Sequence, residues 1–357
     1  MLARLIDFSL RQRLLVLVGA ALLIAGGLAA FDRLPIDAFP DVSTTQVKII
    51  VKAPGMTPEE VEARITVPIE QELLGIPRQR VVRTVSKYAL TDITVDFEDG
   101  ADIYWARQQV AERLGNAMKD LPPQASGGLA PITTPLGEMF MFTIEGPLSA
   151  EEKRSLLDWT IRPQLRTLKG VADVNSLGGQ ARAFEVVPDP AALNARSITF
   201  DTLRQALERN NRNDGSGRIN EGEETLLVRV EGAIRTLDDV RAIVVARRDG
   251  TPVRIGDVAE IRLGALTRYG AVTQNGEGEA VQGLVLGLRG ANASAVVAQV
   301  HERLAEIGRQ LPEGTTIAPF YDRGKLVERA VGTVTKALAE AIALVLLLLL
   351  AFLGNLR

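Results

Sequence analysis

No cysteine occurs anywhere in the 357 residues. That excludes disulfides, thiolate metal sites and a cysteine nucleophile together. Histidine occurs once, at His301, which leaves little imidazole for catalysis or metal ligation. On a helix beside Glu302 and Arg303 it reads as a solvated surface residue. Aromatic residues make up 4% of the chain, and the formal net charge is only -3. Without an excess of positive charge the chain lacks the electrostatic footprint of a nucleic-acid binder, so no nucleic-acid partner is expected. The short catalytic motifs are missing too: no phosphate-binding loop ending in Lys-Ser/Thr, no GxSxG elbow, no His-Glu-x-x-His. The string Gly283-Leu-Val-Leu-Gly287-Leu-Arg-Gly290 matches none of the glycine loops and reads as a strand. An enzyme is not expected.

What is present begins with an apolar stretch. Leu14 to Phe31 carries no charge, and at a rise of about 1.5 Å per residue it spans about 27 Å, close to a bilayer's hydrocarbon core. Arg4, Arg11 and Arg13 before it, and Gly26, Gly27, Ala29 and Ala30 at its end, would also suit a secretory signal. The run is longer than the apolar part of such signals, however. A second apolar segment, Ala337 to Leu353, also calls for an even number of spans. Arginines precede the first span and Arg357 follows the second, so both ends are expected in the cytoplasm. Asp32 to about Lys336 then lies in the periplasm of a Gram-negative cell, and the protein is expected in the inner membrane as a multi-pass chain. Helix hairpins in membranes normally continue into further helices, so the chain reads as the front part of a longer protein.

Between the spans an internal repeat organises the sequence. Prolines 35 and 40 predict an extended exit from the first helix. A strand at Thr45 to Val51 precedes a helix opened by the capping box Thr57-Pro-Glu-Glu60 and closed at Gly75. Strands at Arg80 to Ser86 and Leu90 to Phe97 lead to a helix at Asp102 to Lys119. About 90 residues on, the order recurs. A strand at Glu138 to Ile144, a capping box at Ser149-Ala-Glu-Glu152, a helix to Lys169, strands at Val171 to Leu177 and Ala183 to Val187, and a helix at Phe200 to Arg209 follow in turn. Two ferredoxin-like split β-α-β units are predicted. After Asn210 a turn-rich stretch without apolar period marks an insertion. Leu226 to Val230, a helix-like TLDDVRAIVV, Val253 to Ile255 and Glu260 to Leu263 form its small α+β module. Ala271 to Gln274 and Ala280 to Leu288 are assigned to a return to the second unit. A helix at Ser294 to Gln310 follows, then Thr316 to Phe320, assigned to the first unit, and from Lys325 a helix running into the second span.

Strand alternation puts Phe140, Phe142 and Ile144 under the helices and Met139, Met141 and Thr143 on the other face. On the neighbouring strands Asp173, Asn175 and Glu185 are expected on that same open face. Carboxylates suit hard or borderline divalent cations and thioethers suit Cu(I), although polar residues and gap-filling methionines also describe an ordinary half-exposed sheet. Glu138, at a strand mouth, and Asp173 are the candidate metal residues.

Several runs carry a resemblance: Leu34-Pro-Ile-Asp-Ala-Phe-Pro-Asp41, Ala53-Pro-Gly with Pro58-Glu-Glu-Val61, Val85-Ser-Lys-Tyr-Ala-Leu90, Val95-Asp-Phe-Glu-Asp-Gly100, Ala101-Asp-Ile-Tyr-Trp-Ala-Arg107, Pro135-Leu-Gly-Glu-Met139 and Val253-Arg-Ile-Gly-Asp-Val258. Together they resemble the N-terminal part of the heavy-metal efflux branch of the resistance-nodulation-division (RND) superfamily. The resemblance implies an α+β membrane protein with two ferredoxin-like porter units and an inserted docking module between two transmembrane helices. Its divisions would be 1–34 (first span), 35–134 (first porter subdomain), 135–210 (second), 211–268 (docking), 269–312 (return to the second), 313–335 (return to the first) and 336–357 (start of the second span). It also implies a proton-driven antiporter that works as a homotrimer with a periplasmic adaptor, or membrane fusion, protein and an outer-membrane channel. The docking module would hold neighbouring protomers together. The transported substrate would be a divalent metal ion, with carboxylates favouring zinc, cobalt, nickel or cadmium, and no cofactor is implied. Proton-relay carboxylates and the second half of the porter would lie beyond Arg357. A drug-exporting RND pump and a membrane-anchored periplasmic interaction or sensor module are the alternatives.

Overall fold

Residues Gln46–Lys52 (β1) alternate between core and surface, with Val47, Ile49 and Val51 buried. That two-residue period is what a half-buried strand requires. The structure, a computed structural model, describes residues 11–31, 42–221, 224–230, 232–248 and 250–353. The proline-rich exit at 32–41 lies outside these, and Arg13–Phe31 before it is one helix, α1. The chain divides into two compact units, Met1–Ile144 with Ile161–Ser176 and Gln282–Arg357, and Glu145–Thr160 with Leu177–Val281.

In the first unit, Thr57 and Glu60 close the predicted capping box, with Glu60 N–H donating to Thr57 Oγ1 (3.3 Å) and Thr57 N–H to Glu60 Oε2 (2.9 Å). The helix that follows, α2 (58–73), contains a π-helical turn at Glu62–Thr66, where Val67 N–H donates five residues back to Glu62 O. Pro68 comes two residues after that turn. Proline has no N–H and crowds the carbonyl four residues earlier, and a wider turn accommodates both defects without breaking the helix. Strands β2 (Gln79–Lys87) and β3 (Leu90–Phe97), helix α3 (Ile103–Asp120) capped by Asp102, and β4 (Ser126–Leu129) complete a β-α-β-β-α-β run. Its antiparallel sheet has the order β2-β3-β1-β4. Gly127 makes the last pairing possible, because a Cβ there would stand 2.2 Å from Ile50 O. Ile49, Ile65, Ile69, Ile93, Phe97 and Val110 are fully buried in the core between sheet and helices.

A second four-stranded sheet has the order β14-β5-β13-β6, with β5 Glu138–Glu145, β6 Val171–Leu177, β13 Gln282–Gly287 and β14 Thr316–Asp322. Between β5 and β6 runs helix α4 (150–166), whose capping box at Ser149 and Glu152 forms as predicted and whose π-helical turn, Leu157–Ile161, again ends two residues before a proline, Pro163. Between β13 and β14 runs α8, Ala293–Gly308, capped by Asn292. Counting each sheet's strands in chain order, both sheets read fourth-first-third-second.

This arrangement corrects three expectations. The third strand of the repeat is β13, not the strand near Ala183 to Val187. That segment, β7 (Arg182–Pro188), instead pairs with β12 (Ala259–Ala265) in a separate two-stranded sheet, so Glu185 is not on the second sheet at all. The inserted unit therefore leaves the sheet at about residue 177 rather than after Asn210. The reason is competition for one strand edge: β13 offers glycines where β5 is bulky, and β7 does not. A Cβ at Gly283 would stand 2.2 Å from the Phe142 ring, and one at Gly287 2.0 Å from Met139 Cε. Finally, β14 joins the second sheet beside β5 rather than the first, with Thr143 Oγ1 donating to Ala318 O (3.5 Å).

The second unit holds α5 (Pro190–Ala195), α6 (Phe200–Asn210), α7 (Leu237–Ala242) and the pair β10 (Val244–Arg248) and β11 (Thr251–Arg254) around a small core that includes Leu193, Leu203, Val240, Ile255 and Ile261. The helix predicted over TLDDVRAIVV ends at Ala242, after which its β-branched residues pass into β10. Asp214–Glu221 (β8), where the composition predicted only turns, pairs antiparallel with Glu224–Val230 (β9), which contains the expected element at Leu226 to Val230. Cross-strand pairing supplies the regularity that the sequence lacks there.

From Arg323 a single helix, α9 (Arg323–Leu353), runs to the end of the described chain. Among the described residues it is the one helix long and apolar enough to cross a membrane. The apolar part of α1, Leu14–Gly27, is shorter.

Candidate functional site

The segment before β5 is held in place by backbone bonds and one buried cation. Gly287 N–H donates to Gly137 O (2.8 Å), Arg289 N–H to Ile132 O (3.2 Å), and the guanidinium of Arg323, 4% exposed, binds Leu136 O. Gly137 has no room for a side chain, since a Cβ would stand 1.8 Å from Thr133 Oγ1. Glu138 therefore enters the sheet from a fixed turn. It is exposed, at the start of β5 and opposite Leu286.

Asp173 is set differently. Its Oδ1 accepts from Arg162 Nη2 (3.4 Å) and from its neighbour's N–H at Val174 (2.8 Å), and forms an ion pair with Arg166 Nε (3.0 Å). Both arginines belong to α4, so the carboxylate turns toward the helix that precedes its strand, and it is only 15% exposed. The expectation of an outward carboxylate on an open face does not hold at this position. Nor do Glu138 and Asp173 occupy neighbouring strands, because β13 lies between β5 and β6. Two strand spacings amount to about 9 to 10 Å, whereas ligand oxygens sit about 2.3 to 2.6 Å from a cation such as Ca²⁺. The fold does not bring the two carboxylates together. Among the described residues no group of three or more His, Asp or Glu is placed to hold a metal ion.

The methionine face is largely covered as well, with Met141 left half-buried. Met139 is 4% exposed and Thr143 3% exposed, with Met139 lying in the recess over Gly287. Phe140 and Phe142 are fully buried, as the alternation predicted.

His301 is 45% exposed, the surface position that its polar neighbours suggested, but it is not without contacts. Its ring meets Phe140 edge-on, with centroids 4.9 Å apart and planes at 83°, and its Nε2 lies 2.8 Å from Asp322 Oδ2. The other oxygen of Asp322 accepts from Lys325 N–H (3.1 Å) at the start of α9. One carboxylate thus ties α8 to the long apolar helix. Burial disfavours its charge, but the His301 and Lys325 hydrogen bonds and the charges of both residues together outweigh burial and hold its pKa below the ordinary aspartate value. Asp322, three residues before Lys325 at a helix start, carried a readable capping signal. Its partner 21 residues earlier carried none.

The fold of this chain is shared with known proteins. The AcrB/AcrD/AcrF family model matches residues 5–357. The chain belongs to this family. It is 42% identical over its whole length to protein HelA of Legionella pneumophila and covers 35% of that protein. It is 40% identical, again over its whole length, to the cobalt-zinc-cadmium resistance protein CzcA of Cupriavidus metallidurans, covering 34%. Over 98% of its length it is 36% identical to the cation efflux system protein CusA of Escherichia coli, covering 34%. The crystal structure of a heavy metal efflux pump superposes with a TM-score of 0.88 at 35% identity, over 97% of this chain and 35% of that one. The chain thus spans about a third of the length of these relatives, and the resemblance to the heavy-metal branch read from the short motifs holds across its whole length.

Proposed function

We propose that this chain is the N-terminal part of a proton-driven pump that exports heavy-metal cations from the cell. The observation that carries the reading is the 40% identity over the whole chain to a protein named for cobalt, zinc and cadmium resistance. A nickel-cobalt-cadmium resistance relative at 37% identity supports the same substrate class. In this reading α1 and α9 are membrane spans of a multi-pass inner-membrane protein, since each carries an apolar stretch and the body between them has soluble patterning. The two four-stranded sheets are ferredoxin-like porter units, and the inserted unit is the docking module through which a homotrimer forms. A periplasmic adaptor and an outer-membrane channel complete the export path.

Cation–proton exchange needs titratable groups within the membrane, and these belong to the part of the relatives' length beyond this chain. The contribution of this chain is one wall of the periplasmic route. Of the two candidate carboxylates, Glu138 is exposed and is the one that a passing divalent ion would reach without displacing arginines. Asp173 would have to exchange its arginines for metal, and its part in the route would be to present that charge when α4 moves.

The test is tolerance. The full-length gene is expressed in a strain lacking its own metal exporters, and growth is measured against zinc, cobalt, nickel, cadmium and a hydrophobic drug. Protection against at least one of the metals is expected. Protection against the drug alone would overturn the reading.

A further inference from the structure

The second unit, which includes residues 145–160 and with them the first part of α4, contains a cavity of about 630 Å³ that the transport reading does not use. That volume lies within the range of small-molecule sites, about 300 to 1,000 Å³. One wall is apolar and open to solvent. Phe184 on β7 faces Leu263 on β12 as a cross-strand pair, and Leu266 and Trp159 extend it. Trp159 is 82% exposed and Leu266 63%, which is unusual for side chains of that size with no partner.

The polar lining has a definite sign. Arg182 and Arg235 both border the cavity, and neither side chain makes a hydrogen bond or ion pair among the described residues. Their charges act only through space, on Glu152 and Asp239. Arg154 is already engaged, its guanidinium donating to Asp158 Oδ2 (2.7 Å) and to Gly178 O (2.8 Å). It neutralises the one carboxylate in the cavity but satisfies only one of its oxygens. Asp158 Oδ1 is buried with no hydrogen-bond partner, and a buried acceptor without a donor is costly.

We propose that this cavity binds a small amphipathic anion: an aromatic or branched apolar body against Trp159, Phe184 and Leu263, an acidic head between Arg182 and Arg235, and one N–H or O–H donor to Asp158 Oδ1. The three demands come from three separate features of the lining, and one molecule of this class meets them all. A divalent cation does not fit, because the unpaired charges are positive.

Anilinonaphthalene sulfonate, with two aromatic bodies, a sulfonate and an N–H, is the probe. N-phenyl-1-naphthylamine, the same rings and N–H without the sulfonate, is its control. The 357-residue chain is held in lipid nanodiscs with Trp105→Phe, leaving Trp159 as the only tryptophan of the two. Saturable quenching of Trp159 by the sulfonate at one site per chain is expected. Arg182→Gln and Arg235→Gln should each weaken it about tenfold, as the loss of a charge-assisted hydrogen bond does, with no effect on the uncharged control. Both arginines are exposed, so the variants should fold as the parent does. Equal affinity for the two probes, or variants that bind the sulfonate as the parent does, would overturn the proposal. So would Trp159 emission that shifts with chain concentration before any probe is added, which would mean that a second copy covers the wall.

Discussion

Replacing Gly283 by alanine tests the packing that decides which strand completes the second sheet. A Cβ at this position would lie 2.2 Å from Phe142 Cζ and 2.6 and 2.8 Å from its Cε atoms. Carbon atoms pack at about 3.5 to 4.0 Å, so the ring must retreat by about 1.3 Å or more. Phe142 is fully buried and has nowhere to go without moving its neighbours. Overpacking of this kind costs about 1 to 3 kcal/mol. Loss of glycine's freedom in the unfolded chain returns about 0.4 to 1 kcal/mol, which at the middle of both ranges leaves a net destabilisation of about 1.3 kcal/mol. For a chain of this size that lowers the melting temperature by a few degrees, at about 2 °C per kcal/mol. Phe142→Leu removes the ring atoms that collide and costs stability on its own through the space it leaves. Combined with Gly283→Ala it should cost less than the sum of the two, with a coupling of about 1 kcal/mol. Thermal melts of the four proteins give the cycle. Additive effects within about 0.3 kcal/mol, or an alanine variant as stable as the parent, would refute the claim that Phe142 occupies the space over Gly283.

The Asp322 carboxylate, held below its ordinary pKa, should stabilise the chain fully above pH about 4 and lose that contribution as pH falls through its depressed folded-state value. The melting-temperature gap between parent and Asp322→Asn should therefore be wider at pH 6 than at pH 2.5, and a gap independent of pH would sink the assignment. Thr57→Ala removes a helix cap and should cost about 1 kcal/mol, read as a lower melting temperature without change in the helical circular dichroism of the native state. In cells carrying the full-length protein, Glu138→Gln should reduce metal tolerance at unchanged protein level. For Asp173→Asn the reading predicts a smaller loss, because Arg162 and Arg166 already occupy the carboxylate; a larger loss than at Glu138 would reverse the ranking.

What the sequence determined by itself was everything that depends on neighbours along the chain. The capping boxes at Thr57 and Ser149 stand where they were read, and a helix opens at Asp102 as expected, because a cap is a bond between residues two or three apart. The alternation in β5 gave the buried Phe140, Phe142 and Ile144, because a strand's two faces follow from its backbone alone. The family was legible for a similar reason, since short runs such as Pro135-Leu-Gly-Glu-Met139 are local strings. Tertiary structure decided which strand goes where. In sequence β7 and β13 are both short apolar runs after β6, and nothing within either says which will pair with β5. The choice falls to β13 because glycines at 283 and 287 leave the space that the Phe142 ring and the Met139 side chain occupy, a complementarity between residues more than 140 positions apart. The candidate site failed at the same point. Strand parity could place Asp173 on a face, but only the packing of α4 brought Arg162 and Arg166 within reach of it, and only the insertion of β13 set it apart from Glu138. Long-range pairing is a property of the folded chain, and a single sequence carries no record of it.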